Sequence, residues 1–375
     1  MPAISLYVHI PFCLRRCLYC DFVSHTYRPE TASIYLKALK KEVAGLSIRE
    51  KVFATLYIGG GTPTALDRED ITGIVEFILN HLPFVKDPEV TIEANPGTID
   101  EDKLISLRKA GVNRISIGVQ SFMDDELLTL GRIHTADDAQ GSVFTARKAG
   151  FENIGIDMIY GIPGQDINAW KKSLEKAVGL CPTHISTYEL TLETGTIITE
   201  DVKSGRLIMP DDESIVSMYE YAMDYLQDNG FRQYEISNFA VEGYECRHNL
   251  NYWQRGEYLG VGVGAHSFFE GRRSYNTKDL NRYILCIKEG ESPVDGWEDI
   301  AVDRAFSETI FLGLRKTDGI KLDELKVLLD RDFEDVYAGD IEEMRAQGLI
   351  EIADGRLRLT RRGRILSNEV FIRFI

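Results

Sequence analysis

The feature that most constrains the fold is a six-fold alternation of short β-rich runs with amphipathic helical stretches, extending from the first residues to about residue 195. Parallel strands cannot be joined by tight turns, and helical crossovers supply the connection, so this rhythm predicts a parallel sheet backed by helices. The strands read as Leu6 to Ile10, Thr55 to Ile58, Glu89 to Glu93, Arg114 to Val119, Asn153 to Ile159 and His184 to Leu190. Runs such as Ala32 to Val43, Ile71 to Leu82, Ala136 to Lys148 and Ala169 to Leu180 have helical periodicity between them. Six units fall short of the eight that close a barrel, so the expectation is an α/β fold built on an open, partial (β/α)6 barrel. A doubly wound sheet is the alternative.

Polar residues gather at the carboxyl ends of these strands: Gly59 to Thr62 after the second, then Glu93, Gln120 and Asp157. Each alone reads as an ordinary loop-facing residue. Four successive strands ending this way predict a shared pocket, because in a barrel those ends converge on one mouth.

Beyond about residue 205 the rhythm changes to a helix at Glu213 to Gln227, an aromatic and glycine-rich stretch from Tyr234 to Phe269, and then mostly helix. From about Ala305, helices end at Gly348 and two strands, Leu349 to Ile352 and Leu357 to Leu359, flank the turn Asp354-Gly355. The chain therefore divides into a barrel over 1–205, a connecting region over 206–304, and a mainly helical, winged-helix-like C-terminal domain over 305–375. Arg356, Arg358, Arg361, Arg362 and Arg364 lie in or just after that hairpin and invite a DNA-binding reading; the acidic helices before them favour a packing or docking module. No repeat, low-complexity tract or flexible linker separates the parts, so they are expected to pack together.

A formal net charge of -16 disfavours a dedicated nucleic-acid binder, whose affinity comes mainly from cations on phosphates. No charged leader precedes an apolar core at Met1, and no apolar run reaches the ~20 residues of a membrane span. The expectation is a cytoplasmic protein without a transmembrane segment, with peripheral membrane association left open. Of six cysteines, Cys13, Cys17 and Cys20 crowd together while Cys181, Cys246 and Cys286 are scattered, which suggests a metal site in a reducing compartment. Cys181 and Cys286 read as buried small residues.

Cys13, Cys17 and Cys20 form C-x3-C-x2-C on the loop leaving the first strand. Soft thiolates at this spacing suit an iron-sulfur cluster. Three thiolates on a four-iron cube leave one iron free to chelate the amino and carboxylate groups of S-adenosylmethionine (SAM). The alternative is a zinc site whose fourth ligand is His9 or His25.

Tyr7-Val8-His9-Ile10-Pro11-Phe12-Cys13, Gly59-Gly60-Gly61-Thr62-Pro63 and Gly118-Val119-Gln120-Ser121-Phe122 resemble the oxygen-independent coproporphyrinogen oxidase family of radical SAM proteins. The resemblance runs through the barrel to the carboxyl end. It implies a 4Fe-4S cluster on Cys13, Cys17 and Cys20, and a SAM site in which Gly60, Gly61, Thr62 and Glu93 meet the methionyl amine. It further implies that Arg132 meets the SAM carboxylate, that Gln120 and Asp157 meet the ribose, and that Tyr7 and Tyr19 wall the cluster and adenine. Either tyrosine also reads as a core aromatic.

Within that family, the oxidases carry a further cysteine two positions after the third, where this chain has Phe22, and an extension before the cluster, where this chain has twelve residues. His248-Asn249-Leu250-Asn251-Tyr252-Trp253 instead matches the HNxxYW motif of the haem chaperone branch. That resemblance implies haem as bound cargo at His248, Asn249, Tyr252 and Trp253, with Cys246 as another candidate ligand. The alternative is that His248 bonds structurally while the aromatics fill the core. The leading expectation is a haem-binding protein that delivers haem to haem-dependent acceptors, with SAM as ligand and an electron-donor protein as partner. The competing ones are a tetrapyrrole-modifying radical SAM enzyme or methyltransferase, and an interaction protein with a vestigial barrel.

Overall fold

Along β1 (Ala3–Ile10), Ile4, Leu6, Val8 and Ile10 are buried on one face while Ser5, Tyr7 and His9 take the other. The same alternation recurs in β2 (Val52–Gly60), β3 (Phe84–Ala94), β4 (Arg114–Gln120), β5 (Asn153–Tyr160) and β6 (His184–Glu189). The apolar set packs on the crossover helices. The polar set, including Tyr57, Glu93, Arg114, Ser116, Asp157, His184 and Ser186, lines a common lumen. The computed structural model describes residues 3–48, 50–329 and 333–374; Met1, where no charged leader is read, lies outside them.

The six strands are parallel and in sequence order, β1 to β6. Every strand and helix predicted over the first 195 residues is present, with ends shifted by a few residues, and the partial barrel is the observed architecture. Helix starts carry the chemistry their positions need: Asp100, Asp166 and Asp211 accept first-turn N–H groups, and Thr135 with Asp138 forms a reciprocal capping box.

Residues 206–304 correct the sequence reading. Beyond the helix Asp212–Asp228, six strands appear: β7 (Arg232–Gln233), β8 (Asn238–Ala240), β9 (Tyr258–Val261), β10 (His266–Phe269), β11 (Arg272–Asn276) and β12 (Val294–Asp299). β9 lies parallel to β1 on the side away from β2, so the twelve-stranded order is β12-β11-β10-β9-β1-β2-β3-β4-β5-β6-β8-β7. These strands are short, and β9 finds its partner at the other end of the domain; neither fact leaves a local periodic signature.

The C-terminal part is helical with a small sheet. Helix Val302–Leu314 precedes a three-stranded sheet of Ile320–Lys321, Arg356–Leu359 and Ile350–Ala353. Asp354 and Gly355 both take positive φ, 53° and 69°, as a two-residue hairpin turn requires. Phe306, Ile310, Leu314, Leu357 and Phe374 are among the side chains of a second core. Of the five arginines, Arg361 pairs with Asp224 at 2.9 Å, and Arg356 and Arg362 bond the carbonyls of Asp318 and Gln347.

Glu308, 3% exposed, ties this part to residues 206–304 by pairing with Arg273 at 2.9 Å and Arg255 at 3.1 Å. Two cysteines depart from the sequence reading: Cys181 is exposed with φ 51° beyond a helix end, and Cys286 is half-buried. No described helix is long and apolar enough to cross a membrane.

Candidate functional site

The cysteine loop is pinned at both ends. Phe12–Cys13 pairs with His25–Thr26, and the Tyr27 N–H reaches the Cys13 carbonyl at 2.8 Å. Within the loop, the Leu18 N–H bonds the Leu130 carbonyl and Arg16 grips the Cys20 carbonyl at 2.9 and 3.1 Å. Cys13, Cys17 and Cys20 are free thiols lining one cavity of ≈ 390 Å³. Burial pushes the Cys13 thiol up and that of Cys20 up to about 11, so each stays protonated near neutrality until a metal displaces the proton.

The glycine turn leaving β2 fits against this loop. A Cβ on Gly61 would stand 3.0 Å from Cys13 Sγ, and one on Gly59 would stand 2.8 Å from Glu93 Oε2. Gly60 holds φ 113°, which side chains rarely adopt. The turn thus brings backbone, Cys13 and Glu93 together where any larger residue would separate them. Thr62 Oγ1 accepts from Asn95 Nδ2 at 2.7 Å and faces Cys13 Sγ at 3.6 Å.

Glu93 accepts the Tyr57 hydroxyl at 2.8 Å and the Gly60 N–H at 3.1 Å. Burial raises its carboxyl to about 7, with neighbouring Asp157 adding to the rise. Arg132 donates to Asn95 Oδ1 and the Gly118 carbonyl, both at 2.5 Å, and to Cys17 Sγ at 3.3 Å. Asp157 accepts from Ser186 at 2.7 Å and from Ser116 at 3.2 Å, and burial pushes its carboxyl upward. Gln120 ends β4 with φ 68° after a register shift beginning at Gly118; such a bulge re-aims a side chain.

Of the residues singled out in the sequence, Cys13, Cys17, Cys20, Tyr19, Gly60, Gly61, Thr62, Glu93, Gln120, Arg132 and Asp157 line the cavity together. Tyr7 does not; its ring stacks on Tyr57, which does, and its hydroxyl lies 3.1 Å from His9 Nδ1. His9 Nε2 is 2.8 Å from the Val23 carbonyl, so both its nitrogens are engaged away from the thiols. Among the described residues, no three His, Cys, Asp or Glu side chains close on a single metal ion, and the donor set suits a larger cluster that spreads its thiolates.

The HNxxYW segment forms the helix Arg247–Trp253, in which the His248 ring is held by structural hydrogen bonds. His248 is 1% exposed, with Nδ1 2.7 Å from Thr55 Oγ1 and Nε2 2.9 Å from the Tyr252 hydroxyl. Neither nitrogen is left for iron, and burial lowers its pKa to about 3. Trp253 lies under the Arg315 guanidinium, and Cys246 is buried beside Glu89, whose carboxylate accepts the Arg247 and His248 N–H groups. Within HNxxYW, Asn249 alone of the described side chains lines the cavity.

Sequence reasoning missed Tyr57, Asn95, Arg114, Ser116, His184 and Ser186, which also line the cavity. The signal was available: they are the polar members of the period-2 alternation, and strands buried on both faces would otherwise read as continuous apolar runs.

Residues 7–177 match the Radical SAM superfamily and residues 302–366 match the HemN C-terminal domain. The chain is 37% identical to Heme chaperone HemW of Bacillus subtilis, covering 99% of each chain. It is 34% identical to Heme chaperone HemW of Escherichia coli, covering 100% of this chain and 99% of that one. The structure superposes on coproporphyrinogen III oxidase (HemN) from Escherichia coli, a radical SAM enzyme, with a TM-score of 0.86 and 25% identity over 100% of this chain and 90% of that one. The superfamily implies a 4Fe-4S cluster and SAM; Cys13, Cys17 and Cys20 would hold the cluster, which would supply an electron to SAM bound beside it. By similarity along its whole length, the chain belongs to the HemW family of the radical SAM superfamily.

Proposed function

We propose that this protein binds haem and hands it to haem-dependent proteins, using a 4Fe-4S cluster and SAM held at the barrel mouth. The observation that carries the reading is the end-to-end similarity to proteins named as haem chaperones. In this reading Cys13, Cys17 and Cys20 hold the cluster, Gly60, Gly61, Thr62 and Glu93 receive the SAM ammonium, and Arg132 its carboxylate. Gln120 and Asp157 receive the ribose, and Tyr19 walls the adenine. The charges match: a carboxylate for an ammonium, a guanidinium for a carboxylate, acceptors for hydroxyls. His248 and Tyr252 shape the lumen from behind, and Asn249 is the motif's contact with whatever enters it. Acceptor proteins and an electron donor are the partners.

A second reading, a tetrapyrrole-modifying enzyme, is favoured by the TM-score of 0.86 against the oxidase. Anaerobic reconstitution followed by haem titration and a coproporphyrinogen III assay with SAM and reductant separates the two. The chaperone reading expects saturable haem binding without protoporphyrinogen IX; turnover at the rate of an oxidase assayed alongside would replace it with the enzyme.

A further inference from the structure

At the floor of the lumen, below the residues assigned to SAM, stands a cation the site has not yet used. Arg114 on β4 is 1% exposed and borders the cavity. Among the described residues no carboxylate is in ion-pair range of its guanidinium, and its Nε has no acceptor. The carboxylates around it are committed elsewhere: Glu89 to the N–H groups of Arg247 and His248, Glu93 to Tyr57 and Gly60, Asp157 to Ser116 and Ser186. Glu89, Glu93 and Asp157 offset its charge only from longer range, and a buried N–H without an acceptor points to a missing ligand.

A second unpartnered polar atom faces the same spot. His184 is buried, with Nε2 2.8 Å from the Tyr234 hydroxyl and no partner on Nδ1. The Tyr234 oxygen accepts the Cys246 N–H at 3.4 Å, so its own proton is directed to His184 Nε2 and the imidazole hydrogen is assigned to Nδ1. The point where a Cβ on Gly155 would stand is 3.4 Å from Arg114 Nη2, 3.5 Å from His184 Nδ1 and 3.2 Å from Ser116 Oγ. Glycine at 155 keeps that space open between two converging donors.

We propose that Arg114, His184 and the gap over Gly155 form a subsite for one carboxylate of a molecule held in the lumen. Two donors and one fixed positive charge match a singly charged, planar oxyanion, and the nearby Glu93 and Asp157 disfavour a dianion such as a phosphate monoester. The proposal deepens the haem reading and rests on it: the carboxylate is a propionate arm of the tetrapyrrole, because Arg132 already receives that of SAM.

The test compares Arg114→Gln and Gly155→Ala with the unaltered, cluster-reconstituted protein. Affinities are measured for haem and its dimethyl ester, and for SAM. A propionate in the subsite predicts that both variants lose about tenfold or more in haem affinity and nothing for the ester. SAM affinity should stay at the parental value in both variants, because its carboxylate is received by Arg132. Gly155→Ala guards against misfolding of the arginine variant, because it adds one methyl group where the backbone tolerates alanine, and the cluster spectrum reports an intact barrel mouth. Equal affinities across variants for both acid and ester would overturn the subsite alone. Failure of the unaltered protein to bind haem would instead overturn the chaperone reading and the subsite with it.

Discussion

His248 Nδ1 stands 2.7 Å from Thr55 Oγ1, and the Thr55 hydroxyl in turn donates to Ser5 Oγ at 2.8 Å. With its proton directed to Ser5, Thr55 accepts from His248 Nδ1–H, and His248 Nε2 is left to accept from the Tyr252 hydroxyl. The motif histidine is thus a neutral link in a buried relay running from the HNxxYW helix through β2 to β1. It fixes that helix under the lumen.

Replacing His248 by Ala therefore removes a packed ring and orphans two hydroxyls, and the expected cost is about 3 kcal/mol of folding stability. Denaturant unfolding checks the cost. The absorption spectrum of bound haem should keep its axial-ligand signature; a changed signature with unaltered stability would contradict the relay.

Replacing Cys13, Cys17 and Cys20 together by Ala should leave reconstituted protein without a four-iron cluster while far-UV circular dichroism stays that of the parent. The thiols line the cavity rather than the core, so the fold does not depend on them. Iron and sulfide content at parental levels would remove the cluster assignment.

Arg132→Ala and Asp157→Ala should each weaken SAM binding roughly 10- to 100-fold, the range of a hydrogen bond to a charged group, without loss of the cluster. Calorimetry on reconstituted protein gives the answer. Unchanged affinity in both variants would remove SAM from this pocket.

How much of this was readable beforehand follows from where each signal is local. The six strands, their helices and the cysteine loop were legible because alternation, helical period and C-x3-C-x2-C lie within short windows. Glu93, Gln120, Arg132 and Asp157 were legible through resemblance, and their shared cavity through the convergence of strand ends. Arg114 and His184 were marked only as polar members of the period-2 alternation; each opens a strand at the end remote from the mouth, so their place at the cavity follows only from the folded lumen. The pairing of Tyr258–Val261 with Ala3–Ile10 was invisible because nothing near either segment names the other. For His248 the HNxxYW resemblance left haem ligation and structural bonding both open; only tertiary structure shows that Thr55 and Tyr252 engage its nitrogens.

SAM affinity should depend on pH through Glu93. Its carboxyl, raised to about 7 by burial, is largely protonated at pH 6, and an ammonium bound beside it requires the carboxylate. Binding then releases a proton, so affinity rises from pH 6 through the carboxyl's value of about 7 and levels off roughly one pH unit above it. Titrations in buffers of differing ionisation enthalpy measure the release, and Glu93→Gln should flatten the profile. A flat profile in the parent would contradict the assigned contact.

Glu308 holds the C-terminal part to residues 206–304 through Arg255 and Arg273, with Arg304 3.5 Å away. Glu308→Ala leaves Arg255 without its carboxylate while Glu298 still pairs with Arg273 and Arg304, and the expected loss is about 1–3 kcal/mol. The readout is the denaturation midpoint; a change below about 0.5 kcal/mol would class the contact with surface pairs.

The most direct test of the central claim is haem transfer. The reconstituted chain, loaded with one haem and freed of excess, is mixed anaerobically with a haem-free acceptor enzyme and SAM, and acceptor activity is followed. The account predicts that activity returns faster than with an equal amount of free haem and that SAM or the cluster alters the rate. Haem that never leaves the chain, or an acceptor that recovers no faster than with free haem, would contradict it.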